Sequence, residues 1–158
     1  MTYVYCPKCG EKLSSKEICD EGLVPYCAPC KQPHFSFSQA CVLCVVVNEH
    51  DDIALIKQSY VSDDYIAVAG YIKQGETMEE CAMREVEEEL GLQVVEVIYY
   101  TSFHFAKKDL LMLSSVCKVK KGEFLLSKEV DGARWFSLDD ALAVVTSENI
   151  KNIIKGLD

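Results

Sequence analysis

The stretch Gly70–Leu92, GYIKQGETMEECAMREVEEELGL, holds seven acidic residues and one arginine. Thr77 followed by Glu80 is a capping box and Gly91 is a natural C-terminal stop, so the spacing predicts a helix over about residues 78–90. At roughly 100° per residue, Met78, Ala82, Val86 and Leu90 form one apolar stripe that Cys81 widens. Glu79, Glu80, Met83, Arg84 and Glu87 fall mostly on the outer side, where Arg84 can pair with Glu80 or Glu88. Glu85, Glu88 and Glu89 occupy an arc of roughly 100° that overlaps the edge of the apolar stripe. Glu89 in particular projects where Cys81 and Ala82 place the interior. A partly buried carboxylate needs a compensating cation. Three of them at i, i+3 and i+4 repel strongly unless a divalent metal sits among them. All-oxygen ligation favours magnesium or manganese. The competing reading, a solvated acidic face, accounts for Glu79, Glu80 and Glu87.

The rest of the chain sets the frame for that helix. A length of 158 residues suits one main domain with its own core and a small appendage. With 49% apolar residues the chain is globular, not disordered. No apolar run approaches the roughly 18 residues that span a bilayer. The opening MTYVYCPKCG lacks the apolar core of a signal peptide, so a cytoplasmic protein away from the membrane is expected. Lys plus Arg number 16 against 25 Asp plus Glu, a net charge of −9. Such a field repels polyanions and argues against bulk nucleic acid as a target. An acidic enzyme still takes a phosphate substrate when bound cations invert the local potential. A homodimer is left open.

Nine cysteines without an export signal point to metal or buried thiols before disulfides. Residues 1–34 have few large aliphatics, are rich in proline and carry two C-x-x-C pairs, CPKCG and CAPCK. Cys6, Cys9, Cys27 and Cys30 approach from two opposed knuckles and offer four thiolates in the tetrahedron that zinc prefers. The 17 intervening residues fit a zinc ribbon, and a segment this small needs such a staple to fold. Four protein ligands leave no open position, so the zinc is structural. A redox C-x-x-C is the alternative. Cys41 and Cys44 also form a C-x-x-C, but in the buried-strand pattern QACVLCVVV, where residues three apart point to opposite faces. Cys81 and Cys117 read as small core residues, and Cys19 as an exposed loop thiol, with a spare zinc ligand as its alternative.

From Ser38 the pattern is mixed. ACVLCVVVN, DIALIKQS and YIAVAGYI are β-like runs, with EHDD a hairpin turn between the first two. VVEVIYYTSFHF and LLMLSSVCKVK follow the acidic helix as two longer strands, and KVKKG reads as an exposed hairpin turn. GARWF is a short strand; SLDDALAVV and SENIKNIIKGL are helices, each opened by Ser. Trp135 is expected in the core beside Phe136. This predicts an α+β fold, an α/β/α sandwich around mixed sheets, over residues 35–158, preceded by the zinc ribbon at 1–34.

The acidic stretch resembles the Nudix box, G-x5-E-x7-R-E-U-x-E-E-x-G-U with U aliphatic. Gly70, Glu76, Arg84, Glu85, Val86, Glu88, Glu89, Gly91 and Leu92 fill every fixed position, a match expected by chance less than about once in a million such chains. The resemblance implies the Nudix fold and a hydrolase of nucleoside diphosphates linked to another moiety. It implies that Glu85, Glu88 and Glu89 bind divalent cations and help activate water. Glu76 and Arg84 would hold loop and helix, and Gly70 would let the backbone approach the metal. A four-cysteine ribbon leading into such a domain is similar to the NADH pyrophosphatase branch of the family. Glu129 and Trp135 in KEVDGARWF match a glutamate and a tryptophan of that branch, the glutamate as a further metal ligand. Two departures stand out. The branch's large extra N-terminal region has no counterpart here, and its S-Q-P-W-type signature is replaced by YTSFHFAKKDLLML, which lacks the Pro-Trp element.

The implied reaction is pyrophosphohydrolysis of NADH or a related nucleotide. Metal ions would neutralise phosphate oxygens and lower the pKa of a bound water, while Glu85 or Glu89 accepts the proton. ADP-ribose, FAD or a noncanonical nucleoside triphosphate are alternative substrates, and a nucleotide-sensing binding module is a third reading that an intact box disfavours. Phe35, Phe37, Tyr71, Phe103 and Phe105 are the candidates to clasp a base. His34 is a substitute zinc ligand, His50 sits in a turn, and His104 is expected half-buried on a strand.

Overall fold

A computed structural model describes residues 3–157. The chain divides into two compact units, one running to Ser38 and one beginning at Gln39. The sequence reading put the division at 34/35. The first unit runs further because the His34 N–H donates to the Pro25 carbonyl at 2.8 Å, and the Phe37 ring meets Tyr3 at 5.6 Å. It holds an antiparallel sheet of β1 (Ser14–Glu17), β2 (Leu23–Cys27) and β3 (Gln32–Pro33), in that order. Its cysteine pairs sit in two tight turns, closed by Gly10 N–H to Cys6 O at 2.8 Å and Lys31 N–H to Ala28 O at 3.3 Å.

The second unit is built on one mixed sheet. Its strands are β4 (Gln39–Val47), β5 (Ile53–Gln58), β6 (Ser62–Ile66), β7 (Val68–Tyr71), β8 (Val94–Phe105), β9 (Leu110–Val119) and β10 (Gly132–Phe136). The path runs β10-β5-β4-β9-β8, with β6 added to β5 and β7 to β4. The β4–β9 pair is parallel, from Gln39 opposite Leu110 to Val47 opposite Lys118; the other pairings are antiparallel. β4 is central and covered on both sides, which is why its residues from Cys41 to Val47 are all buried rather than alternating.

Alternate β4 residues feed two cores. Cys41, Leu43, Val45 and Val47 face one side, with Ile53, Leu55, Phe136 and the helices α2 (Leu138–Val144) and α3 (Glu148–Lys155). Val42, Cys44 and Val46 face the other, with Ala54, Ile56, Cys117 and the acidic helix α1 (Met78–Leu90). Helices on both faces of a mixed sheet make the α/β/α sandwich. α1 carries the capping box, Glu80 N–H to Thr77 Oγ1 at 3.2 Å and Thr77 N–H to Glu80 Oε2 at 2.8 Å, and ends at Gly91 with φ +68. Its stripe of Cys81, Ala82, Val86 and Leu90 is fully buried.

Several local expectations change. YIAVAGYI is two strands: β4 and β5 pair only at Val46–Ala54 and Val47–Ile53, then diverge, and β6 and β7 fill the fork on either side of Ala67. KVKKG opens no hairpin; β9 ends at Val119 and a loop leads to β10, anchored by Lys121 Nζ on Asp52 at 2.7 Å. Trp135 and Phe136 alternate across β10, so Trp135 stacks on Phe124 at 5.1 Å in the α1-side core while Phe136 joins the other. His104 is exposed and pairs with Asp109 at 3.0 Å, because β8 is an edge strand.

Candidate active site

Arg84 is the hub. Its Nε and Nη2 donate to the two oxygens of Glu76 at 2.6 and 2.9 Å, a bidentate pair, and its Nη1 donates to Glu85 at 2.6 Å and Glu88 at 3.0 Å. Nη2 also reaches the Tyr71 carbonyl at 3.2 Å. The helical wheel put Arg84 on the outer face, but its long side chain folds back over the 71–76 loop, and Glu80 is left to the cap. Its bonds raise the Arg84 pKa further, Glu76 contributing most. Glu76 falls to about 2, chiefly through Arg84 and then through the Lys73 N–H, which donates to it at 2.8 Å. One guanidinium therefore ties the loop to the helix and sets the positions of two further carboxylates.

Glu89 is different. It is 5% exposed, and its Oε1 accepts from Gln58 Nε2 at 2.7 Å. Its Oε2 is buried without a partner among the described residues. Burial pushes its pKa up to about 7, the Gln58 bond working against that rise. Glu85 is also raised, by burial first, with Arg84 opposing. A Cβ built on Gly70 would collide with the Glu85 carboxylate, so a larger residue there would push that carboxylate off its bond to Arg84.

These groups open onto one cavity of about 520 Å³. Gly70, Arg84, Glu85, Glu88, Glu89 and Glu129 line it together with Tyr71 and Phe105. The structure thus brings Glu85, Glu88 and Glu89 from α1 to one place with Glu129 from the loop before β10, while Glu76 stays behind Arg84. Phe103 packs against the α2/α3-side core instead, and Phe37 lies in the first unit. Sequence reasoning missed Gln58, Tyr60, Lys73, Lys108 and Met112, which also line the cavity. Gln58 alone had a signal: an amide continuing the apolar row of Ala54 and Ile56.

Glu85, Glu88, Glu89 and Glu129 supply oxygen donors of the kind a hard divalent cation takes, one of them bare and buried on Glu89. No three of these carboxylates, however, bring oxygens within 4.8 Å of one another. The cysteines form a second candidate metal centre. The sulfurs of Cys6, Cys9, Cys27 and Cys30 lie within 4.8 Å of one another, the only such group among the described residues. Burial opposes ionisation of Cys6, yet the backbone N–H groups of Cys9 and Lys8 outweigh it and lower its pKa to about 6. Cys30 is pushed up to about 12, first by the neighbouring thiols of Cys9 and Cys27. The cluster favours one thiolate and resists the next, a pattern that a bound cation reverses.

A carboxylate cleft braced by one arginine, set in an α/β/α sandwich, is what the chain presents. Residues 38–156 match the NUDIX domain, and the chain belongs to that family. It is 27% identical over 150 residues to the NAD-capped RNA hydrolase NudC of Vibrio vulnificus, covering 94% of this chain and 56% of that protein. With NudC of Pseudomonas aeruginosa it shares 30% over 137 residues, 85% of this chain and 48% of the relative. The chain spans about half the length of the curated relatives it matches. A NUDIX hydrolase from Nitrosomonas europaea superposes with a TM-score of 0.78 at 18% identity, over 98% of this chain and 92% of that one. The NUDIX domain of Shewanella oneidensis NrtR, crystallised with ADP ribose, gives 0.66 at 15% identity over 82% and 90%. At these identities the two structures speak for the fold alone.

Proposed function

We propose that this chain is a divalent-metal-dependent pyrophosphohydrolase that cleaves the diphosphate of NADH or a related nucleotide diphosphate derivative to nucleoside monophosphates. The observation that carries this reading is one cavity combining Glu85, Glu88, Glu89 and Glu129 with Tyr71, Phe105, Leu110 and Met112. Hard oxygen donors suit magnesium or manganese. When bound, such cations neutralise phosphate oxygens and lower the pKa of a bound water. Glu89, poised near neutrality by burial, or Glu85 takes the proton of the attacking water. Arg84 stays with its carboxylates and keeps their spacing. Tyr71 and Phe105 offer ring faces to a base. Phe37 and Phe103 belong to the same expectation, but Phe103 serves the core first. The four thiols of the first unit hold a structural zinc.

The relatives named as hydrolases of NAD-capped RNA support the nicotinamide dinucleotide class, since NAD at an RNA end presents the same diphosphate. An RNA 5′ end exposes little polyanion to a chain of net charge −9. The test is hydrolysis of NADH, NAD and ADP-ribose, read as AMP release, and of NAD-capped RNA, read as release of nicotinamide mononucleotide, each with magnesium and with manganese. NADH should yield AMP and nicotinamide mononucleotide. Glu89→Gln should lower kcat by about 100-fold or more, whereas Glu87→Gln, on the outer face, should stay within about twofold of wild type. No cleavage of any of the four with either cation would refute the reading.

A further inference from the structure

We infer that Gln58 is a positioning residue for the hydrolytic centre: its carboxamide holds Oε1 of Glu89 and leaves Oε2 as the working oxygen. Three observations meet here. On β5, Ala54 and Ile56 face α1 in the buried core, and Gln58 is the next residue of that row. An apolar side chain is what that row calls for, yet an amide is buried there at 5% exposure. An amide in such a place needs a partner, and Glu89 Oε1 at 2.7 Å is that partner. The β5–β6 pairing shifts register between Ile56 and Gln58, and the Val61 N–H closes the turn on the Gln58 carbonyl at 2.8 Å. Irregular pairing of this kind re-aims a side chain beside a site. Finally, Glu89 Oε2 has no hydrogen-bond partner among the described residues, although both residues line the cavity.

A carboxylate on three rotatable bonds can present either oxygen. The Gln58 donor removes that freedom on one side, so Glu89 enters the reaction with one defined oxygen rather than two interchangeable ones. Gln58 touches neither the cation nor the substrate in this scheme; it acts through Glu89.

The inference rests on the proposed cation site, and its test is built so that the two fail differently. Manganese binding to the whole chain, without nucleotide, is measured by electron paramagnetic resonance for wild type, Gln58→Met, Glu89→Gln and the double variant. Met matches the length of Gln and keeps the row apolar but donates no hydrogen bond. Gln58→Asn, too short to reach Glu89, serves if the Met variant does not fold. Gln58→Met should weaken manganese binding by about tenfold, yet change it by less than about twofold once Glu89 is already Gln. With NADH, kcat should fall by a similar factor while KM moves less than about twofold. Equal losses in both Glu89 backgrounds would mean that Gln58 supports the fold and not the carboxylate, which overturns the inference alone. Manganese binding indifferent to Glu89→Gln would overturn the cation site, and the inference with it.

Discussion

Burying a glutamate with one oxygen satisfied and the other bare stores a cost in the metal-free fold. Glu89 carries that cost, its pKa lifted from 4.5 to about 7 by burial first. A raised carboxylate means that the folded chain binds more protons than the unfolded one between those two values. The stability contributed by its neutral form is therefore complete below about pH 4.5 and is lost as pH rises through about 7. A shift of this size corresponds to as much as about 3 kcal/mol. Glu85, also raised, adds in the same direction. Glu76 works oppositely: Arg84 holds it at about 2, so its contribution is present above about 4.5 and fades only in stronger acid. In urea unfolding of protein dialysed free of magnesium and manganese, stability should decline from about pH 5 to pH 8, and Glu89→Gln should flatten much of that decline. Adding magnesium at pH 8 should restore what was lost, since a ligand of the folded state alone stabilises it. An identical slope in wild type and Glu89→Gln would locate the titrating group elsewhere.

At the scale of elements, two devices hold the molecule's chemistry, and both were visible in short-range pattern. The helix α1 spans the residues between its Thr77 cap and Gly91, because capping chemistry acts within one turn. The four thiols converge because each C-x-x-C closes its own tight turn. What local pattern misses is set from afar. Arg84 reads as outward on a helical wheel, but Glu76, eight positions earlier, draws it inward. Gln58 meets its partner 31 positions later, and the split of YIAVAGYI into β6 and β7 follows from where β4 and β5 part. The ribbon gives the element-scale prediction. Its buried apolar set, among the described residues, is Cys6, Val24 and Cys27, two of them thiols, so metal and not core should hold it. Purified protein should carry about one zinc per chain by metal analysis. Cys6→Ser should lose the zinc and expose residues 3–38 to amide exchange, while Cys41→Ala, in the other unit, should keep it. Zinc kept after Cys6→Ser would bring in His34, whose Nε2 is buried and unpartnered among the described residues, or the exposed Cys19.

Over the whole molecule, charge and shape divide the work of recognition. All of the net charge of −9 lies outside the ribbon, whose four lysines and four carboxylates between residues 3 and 38 cancel. The cavity in the second unit gathers four glutamates, so a phosphate substrate depends on cations for its attraction and on side chains for its fit. The diphosphate and the adenosine half are the same in NADH, NAD and ADP-ribose, so those contacts cannot separate them. Discrimination has to come from the far end of the substrate, and the stretch where the resembled branch carries its Pro-Trp element holds Phe103, His104 and Phe105 here. Of these, Phe103 packs on the core and His104 pairs with Asp109, while Phe105, packed on the same core, also lines the cavity. A ring without matched polar partners separates ligands by only a few kcal/mol at most. Activity is therefore expected on more than one of these adenosine diphosphate compounds, with kcat/KM values within about 200-fold of each other. Steady-state kinetics on NADH and ADP-ribose with one cation decide it. A preference for NADH above about 1000-fold would require a specific polar contact at the nicotinamide, and the exposed amine of Lys73 or Lys108 on the cavity wall would then be the first place to find it.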